Sequence, residues 1–165
     1  MKGTRILLWI GLLLFGWIPV TKATHIAGAE LTYECTGQNV YHITLKLYRD
    51  CFGGQAPFDN PVELFIFEAV SGAPAYNISI PIPPMTPQIP LENIDACVAT
   101  PPAICVEEGI YETDILLPPR TGGYNIAWAR CCRNGIISNL AAPECEGVSF
   151  LAHVPGPEVA ECNSM

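Results

Sequence analysis

Eight cysteines behind an apolar N-terminal segment constrain this chain more than any other feature of its sequence. The chain opens with Lys2 and Arg5, followed by an apolar run from Ile6 to Val20 and by small residues that end at Ala23. This order of basic, apolar and small-residue regions is that of a secretion signal, which predicts a signal peptide over residues 1–23. A membrane-spanning helix needs about 20 apolar residues. Because this run is shorter and contains a proline, it favours a cleaved signal over an anchor.

An even number of cysteines in an exported chain indicates disulfides. The eight candidates are Cys35, Cys51, Cys97, Cys105, Cys131, Cys132, Cys145 and Cys162. Zinc is the rival interpretation, but structural zinc sites use cysteine pairs about two to four residues apart, whereas these spacings are adjacent or wide. The three histidines, at positions 25, 42 and 153, add no ligand spacing. The sequence therefore predicts disulfides, with no metal site and no cofactor.

Cys131 and Cys132 are neighbours in the chain, and their pairing depends on the local geometry. Consecutive side chains on a strand point to opposite faces, which predicts that the two bond different partners; a bridge between them is the minority alternative. The cysteines considered as partners are Cys35, Cys51, Cys145 and Cys162, of which the first two are the main candidates. The last two are predicted to bond each other.

A proline-rich stretch from Pro81 to Pro102 holds seven prolines in 22 residues, a density that no helix interior tolerates. Apolar residues alternate with the prolines, which favours an ordered, extended loop over a disordered linker. Cys97 and Cys105 bracket its end and enclose only a short segment. They are therefore predicted to bond each other and to staple the loop.

Apolar and polar residues alternate along most of the chain, with a period of two that is typical of half-buried strands. The predicted strands are Leu31–Cys35, Tyr41–Leu47, Val62–Phe67, Tyr76–Ile82, Tyr111–Leu117, Tyr124–Trp128 and Val148–Ala152. Pro81 restricts the fourth of these to the edge of a sheet. About seven strands separated by turn residues predict an all-β fold, an immunoglobulin-like antiparallel β-sandwich stapled by disulfides. The mature segment, residues 24–165, suits a single domain.

The charge of the mature segment excludes one class of partner. Three of the eight basic residues (Lys2, Arg5 and Lys22) precede the cut, so five basic and sixteen acidic residues remain, a net charge of −11. Binding to nucleic acid or to an anionic membrane needs clustered lysine and arginine. We expect neither nucleic acid binding nor membrane insertion of the mature chain. The acidity favours a role in solubility, and binding of calcium or of cationic partners is the alternative.

Catalytic motifs are absent from the sequence: it has no G-x-S-x-G, no H-E-x-x-H and no phosphate-binding glycine loop. Arg130 and Arg133 flank the adjacent cysteines and would lower the pKa of a free thiol there, but an oxidising compartment favours disulfides. The two arginines are instead expected to pair with nearby acids such as Asp50, Glu107 or Glu108. The sequence predicts no catalytic residue and no enzyme.

Four segments together carry a resemblance to a known family. They are Thr24 to Tyr33 (THIAGAELTY), Leu47 to Cys51 (LYRDC), Cys105 to Tyr111 (CVEEGIY), and Gly123-Tyr124 followed by Arg130 to Asn134 (RCCRN). In combination they resemble the N-terminal module of large secreted surface proteins of gliding bacteria. In those proteins PKD-type repeats follow the module, and then a gliding-motility-associated sorting domain of the type IX secretion system.

The resemblance covers nearly the whole mature chain and implies a place and an architecture more than a chemistry. Such proteins continue well past the segment equivalent to Cys162, whereas this sequence stops at Met165. The resemblance therefore implies the N-terminal module of a longer surface protein. Cys145 departs from the family pattern, which is a further reason to consider it as the partner of Cys162.

Two functional hypotheses follow from these features. The first is a secreted or cell-surface structural or adhesive module without catalysis, which is periplasmic if it is not exported further and whose partner is an extracellular protein or a glycan. The second is a carbohydrate-binding module or the accessory domain of a secreted enzyme, which would use exposed aromatic residues. The aromatics to examine are Tyr33, Tyr41, Tyr48, Tyr76, Tyr111, Tyr124 and Trp128. Trp128 is expected in the core instead, because sandwich cores commonly bury a tryptophan.

Overall fold

The computed structural model describes residues 26–52, 56–90, 104–133 and 137–159. The predicted signal peptide, Cys97 and Cys162 lie outside these ranges. Within them the chain is all-β apart from one 3-10 turn, Pro143–Cys145. No helix in this part of the chain is long and apolar enough to cross a membrane.

Seven antiparallel strands build the fold. They are β1 (Ile26–Gly37), β2 (Val40–Asp50), β3 (Val62–Glu68), β4 (Pro74–Ile80), β5 (Val106–Leu116), β6 (Tyr124–Arg130) and β7 (Val148–Val154). One sheet has the order β1-β2-β5 and the other β4-β3-β6-β7, so the chain crosses between sheets after β2, after β4 and after β5. The prediction of an all-β sandwich of about seven strands is confirmed.

The core lies between the two sheets, where the alternation along each strand places the apolar side chains. In β2 the side chains of Ile43, Leu45 and Leu47 are completely buried. From the other sheet the core receives Leu64, Ile66, Ile126 and Trp128. Each such side chain contributes about 1.5–3 kcal/mol to folding, which is why the period of two predicts the strands so well.

β4 forms an edge of the four-stranded sheet, as predicted. Its pairing with β3 stops at Ile80, which lies opposite Val62. The next residue, Pro81, has no N–H to donate to a ladder. The strand therefore ends two residues before the predicted boundary.

The described part of the proline-rich stretch, residues 81–90, is extended and packs along β5. The Ile89 amide donates to the Val106 carbonyl at 2.8 Å, and the Glu108 amide donates to the Pro87 carbonyl at 2.9 Å. These bonds cover the beginning of the outer edge of β5, which would otherwise expose unpaired backbone groups. The prediction of an ordered, extended segment is confirmed for these residues.

The two ends of the sandwich differ in how their strands are connected. At the first end, called the cysteine end below, β2 ends at Asp50, β5 begins at Val106 and β6 ends at Arg130. At the opposite end, called the turn end, tight connections join β1 to β2, β3 to β4 and β5 to β6. Gly123 in the last of these has a φ of +73°, and a Cβ there would collide with the Val154 carbonyl. Only glycine fits this position without a backbone shift.

Candidate functional site

The cysteine end brings together parts of all four segments that carry the family resemblance, because Ile26 pairs with Arg49 and β6 ends there at Arg130. β2 and β5 pair in continuous register up to Asp50 opposite Val106, so the residues that follow and precede them meet next. Cys51 and Cys105 form a disulfide with a Cα–Cα distance of 5.0 Å, and the Cys51 amide donates to the Cys105 carbonyl at 2.9 Å. The bridge extends the β2–β5 ladder by one pair.

The prediction that Cys97 bonds Cys105 is therefore wrong. It rested on the short loop between the two residues, whereas the strand register fixes Cys105 opposite Cys51. The Cys51–Cys105 bridge joins residues that are 54 positions apart in the sequence. It forms instead of the local bridge because the paired strands β2 and β5 place these two cysteines side by side. The spacing of the cysteines along the sequence does not reveal the register of β2 and β5.

Cys131 and Cys132 bond each other, with a Cα–Cα distance of 3.7 Å. The prediction of separate partners is wrong because β6 ends at Arg130, so the pair lies beyond the strand and its side chains need not alternate. Cys132 has a φ of +78°, in the left-handed region that non-glycine residues adopt only rarely. The backbone thus leaves the extended conformation where the bridge forms.

The other cysteines differ in their bonding state. Cys35 is disulfide-bonded, but its partner is neither Cys131 nor Cys132. Cys145 is a free, exposed cysteine, which overturns its predicted bridge to Cys162. The turn that carries it, Pro143–Cys145, lies beside the vicinal pair because the Cys132 amide donates to the Glu146 carbonyl at 3.0 Å.

Arg49 is the hub of the polar contacts at the cysteine end. Its Nε donates to Glu107 at 3.1 Å and its Nη1 donates to the Ala56 carbonyl at 2.7 Å, while Nη2 completes a two-point contact with the same carboxylate. The guanidinium also lies 5.3 Å from the ring centroid of Phe58. The side chains of Arg49 and Glu107 are only 16% and 18% exposed. Each of the three guanidinium nitrogens of Arg49 therefore donates to an oxygen of the protein itself.

Arg130 forms a second ion pair at this end, with Asp59 of the β2–β3 connection. Burial lowers the pKa of Arg130. The backbone carbonyl of the same Asp59 accepts a hydrogen bond from the Tyr111 hydroxyl at 2.8 Å, and burial raises the pKa of Tyr111 to about 12. Asp59 was not among the acids that the sequence suggested as partners, and Glu107 contacts Arg49 instead.

Arg133, the other arginine beside the cysteines, holds the backbone of the β6–β7 connection. Its Nε donates to the Gly147 carbonyl at 2.9 Å, and its amide donates to the carbonyls of Pro143 and Glu146. The two arginines thus bind carboxylate and carbonyl oxygens. The cysteines between them are bonded to each other and present no thiol for these cations to activate.

The described histidines lie on strands, away from both cysteine pairs. His42 Nδ1 lies 2.7 Å from Asp114 and its Nε2 lies 3.7 Å from Glu112. The hydrogen bond to Asp114 is the main cause that raises the pKa of His42. His153 Nδ1 lies 2.9 Å from the amide oxygen of Asn125. Among the residues with described positions, no three His, Cys, Asp or Glu side chains are grouped so that they could hold a metal ion.

The turn end holds an open cavity of about 220 Å³. Tyr41, Arg120, Tyr124 and Asn39 line it together with prolines of the β5–β6 turn and of the segment after β7. Arg120 donates to Glu68 at 2.8 Å and lies 6.0 Å from the ring centroid of Tyr124. The cavity therefore combines an aromatic wall with a partly exposed cation.

Most aromatic residues that the sequence offered as a sugar platform are buried. The buried ones are Tyr33, Tyr111, Tyr124 and Trp128. Trp128 packs against Phe150 with a centroid distance of 6.0 Å, and its expected place in the core is confirmed. Tyr48 is partly buried, and desolvation together with its hydrogen bond to Glu30 raises its pKa to about 12. Tyr76 on the edge strand β4 is exposed.

A shallow apolar groove of about 280 Å³ separates the open edges of β4 and β5. Tyr76 and Leu116 are its exposed apolar members, and the buried Ile66 and Ile115 also line it. It contains one carboxylate, Asp114, which already contacts His42. The groove offers apolar area but few polar groups that would orient a ligand.

No family model, no curated protein and no solved structure matches this chain.

Proposed function

We propose that this chain is a secreted β-sandwich module with a structural or adhesive role and no catalytic activity. The observation that carries the proposal is the use of side chains at the cysteine end. Arg49 and Arg130 form ion pairs with Glu107 and Asp59, Cys51 bonds Cys105, and Cys131 bonds Cys132. Such contacts stabilise a fold and leave no activated nucleophile among them.

Secretion fits the same chemistry, because disulfides persist in oxidising compartments and are rare in the cytosol. The signal-like segment of residues 1–23 and the resemblance to surface proteins of gliding bacteria point to the cell surface. An immunoglobulin-like sandwich architecture is part of this proposal. The hydroxyl of Tyr124, the first residue of β6, donates to the Pro118 carbonyl at 3.0 Å, a contact like the tyrosine corner of Greek-key sandwiches.

The strand order differs from the constant-type immunoglobulin domain in one respect. There the fourth strand joins the sheet of the first two strands, whereas here β4 lies beside β3. The disulfide also differs, because Cys51 and Cys105 join neighbouring strands of one sheet instead of bridging the two sheets. The proposed likeness therefore concerns the sandwich architecture and its corner.

The proposed export is tested by fusing residues 1–23 to a reporter and by sequencing the N-terminus of the full chain after expression. We expect the reporter to be exported and the mature chain to begin at Thr24. A reporter that stays in the cytoplasm would refute secretion. Adhesion is tested with beads that carry residues 24–165, which should attach to extracellular polysaccharide or to cell envelopes more than beads that carry the unfolded, reduced and alkylated chain.

Carbohydrate binding is the second candidate, and the turn-end cavity is the observation that favours it. Tyr41 and Arg120 offer an aromatic ring and a donor in one concave site, the combination that small-ligand sites use. A glycan array probed with the mature chain should then give signals that Arg120→Ala and Tyr41→Ala abolish. The matched control is Phe52→Ala, an exposed aromatic at the cysteine end, which should retain binding. An array without signal would refute the glycan site, and the structural or adhesive role would remain as the proposed function.

A further inference from the structure

Three cysteines at the cysteine end combine a disulfide and a thiol in adjacent segments. Cys131 and Cys132 are bonded to each other, and Cys145 is free and exposed. We propose that Cys131, Cys132 and Cys145 form a thiol–disulfide exchange site that moves the free thiol between the β6 end and the Pro143–Cys145 turn. Nothing in the proposed structural or adhesive role requires this activity.

Backbone hydrogen bonds hold the two segments together. The Cys132 amide donates to the Glu146 carbonyl at 3.0 Å, and the Arg133 amide donates to the Pro143 carbonyl at 3.0 Å. Hydrogen-bonded backbones lie about 5 Å apart and successive Cα atoms about 3.8 Å apart. The Cα atoms of Cys132 and Cys145 are therefore within roughly 9 Å of each other, whereas a disulfide spans roughly 4.4–6.8 Å. The proposed exchange therefore requires the exposed turn that carries Cys145 to move closer to Cys132 where the two Cα atoms are more than about 7 Å apart.

The exchange step is balanced and needs no external oxidant. The Cys145 thiolate attacks the Cys132 sulfur, the bond between Cys131 and Cys132 breaks, and a bond between Cys132 and Cys145 forms. The electron pair of the broken bond leaves on Cys131, which takes up the proton that Cys145 lost. One disulfide and one thiol are present before and after the step, as in any thiol–disulfide exchange.

Two features of the chain favour the product. A bridge between adjacent residues closes no chain loop, whereas a bridge from Cys132 to Cys145 would restrict the unfolded chain over the whole β6–β7 connection. Opening the vicinal bridge also frees Cys132 from its positive φ of 78°, a conformation that costs energy for a residue with a side chain. The exchange would replace the bridge between two adjacent residues with a disulfide that spans the β6–β7 connection.

The sequence allows the site to be read directly by mass spectrometry. Trypsin cuts after Arg130 and Arg133, which releases the tripeptide 131–133, and no lysine or arginine follows it. A protease that cuts after glutamate releases Cys145 with Glu146. The full oxidised chain is incubated at neutral pH, and its free thiols are then alkylated with a maleimide in acid, where exchange is slow. After both digestions, each arrangement of the three cysteines gives its own mass.

We expect the alkyl label to shift from Cys145 to Cys131 during incubation, together with a new species that joins the tripeptide to Cys145. In Cys145→Ser the vicinal bridge should persist and the tripeptide should stay unlabelled. In Cys131→Ser, which removes the leaving thiol, Cys132 and Cys145 should bond each other after oxidation. The proposal is overturned if the label stays on Cys145 at all times, if Cys145 is found bonded to Cys97 or Cys162, or if Cys131→Ser leaves both remaining thiols labelled. The labelling of the wild-type chain tests the proposal by itself, so the test does not depend on whether the variants fold.

Discussion

The two ends of the sandwich contain the same three kinds of side chain in very different surroundings. At the cysteine end an arginine, a carboxylate and an aromatic ring meet in Arg49, Glu107 and Phe58. At the turn end the corresponding set is Arg120, Glu68 and Tyr124. The first arginine is 16% exposed and the second 47%. The two sets contain the same kinds of side chain, but they differ in how far the arginine is buried.

Burial decides how much such a set contributes to folding. An exposed ion pair is weakened by water and salt and contributes about 0–1 kcal/mol. The charges of a buried ion pair attract each other more strongly. Removing one partner then leaves a buried charge without compensation, which strongly destabilises the fold. The cysteine end is thus stabilised by disulfides and by largely buried ion pairs in which each charge needs its partner. The turn end is held mainly by backbone geometry, as at Gly123, and by a buried tyrosine.

The largest expected effect comes from removing the covalent part of the cysteine end. Cys51→Ala with Cys105→Ala opens a bridge across 54 residues, and the chain-entropy model gives a loss of about 4 kcal/mol for a loop of that size. Thermal denaturation should show a fall in Tm on the order of 10 °C. In reducing buffer the wild type and the double variant should melt close together, because neither then has the bridge. Equal melting in non-reducing buffer would contradict the importance of this bridge.

The two arginines test the comparison most directly. Arg49→Ala should lower the free energy of unfolding by about 2–3 kcal/mol, because it leaves the half-buried Glu107 without its partner. The matched variant, Arg120→Ala, should lose clearly less, because water already screens the exposed pair of Arg120 with Glu68. Urea denaturation at low and high salt measures both losses, and only the loss at Arg120 should shrink as salt screens the exposed pair. Equal losses at the two positions would show that the ends do not differ in the way that burial implies.

The tyrosines should behave alike where the arginines differ. Tyr111 donates to the Asp59 carbonyl at the cysteine end and Tyr124 to the Pro118 carbonyl at the turn end, at 2.8 and 3.0 Å. Both rings are buried. Tyr111→Phe and Tyr124→Phe should each lower the free energy of unfolding by about 1 kcal/mol, as measured by urea denaturation. A neutral Tyr124→Phe beside a costly Tyr111→Phe would extend the difference between the ends to their hydrogen bonds.

The smallest effect is expected on the exposed outer face of the three-stranded sheet. Asp114 and Glu112 of β5 contact His42, and Glu34 of β1 lies opposite it on its other side. The pKa of His42 is raised above 6.5, so its stabilising effect is complete below that pH and is lost as the pH rises through the raised value.

His42→Gln should therefore lower the free energy of unfolding more at about pH 5 than at about pH 8, by a fraction of a kcal/mol because the site is exposed. Denaturation at the two pH values measures the difference. The control is the same replacement in an Asp114→Asn background, where the main partner of His42 is removed and the difference between the two pH values should shrink. A larger loss for His42→Gln at about pH 8 would contradict the assigned partners.

The sequence predicts the strands well because side-chain alternation is a local pattern that burial imposes on every strand. It failed for the disulfides because their pairing depends on register and on strand ends. Cys105 bonds Cys51 through the β2–β5 register. The vicinal pair forms because β6 ends at Arg130, before both of the cysteines that the alternation argument placed on a strand. The ion pair of Arg130 with Asp59 was missed for the same reason. A residue in the β2–β3 connection comes close to the end of β6 only after the two sheets pack together.

The direction of the first and last strands has a mechanical consequence. β1 begins at the cysteine end, where Ile26 pairs with Arg49, and β7 ends at the turn end with Val154. Tension between these two points acts along the strands and loads the β1–β2 and β6–β7 ladders in shear, so that many hydrogen bonds must break together instead of one after another. In single-molecule pulling on a chain held at these positions, we expect one abrupt rupture at high force. The Cys51–Cys105 bridge would then shorten the length released, because the residues between the two cysteines stay closed in a covalent loop.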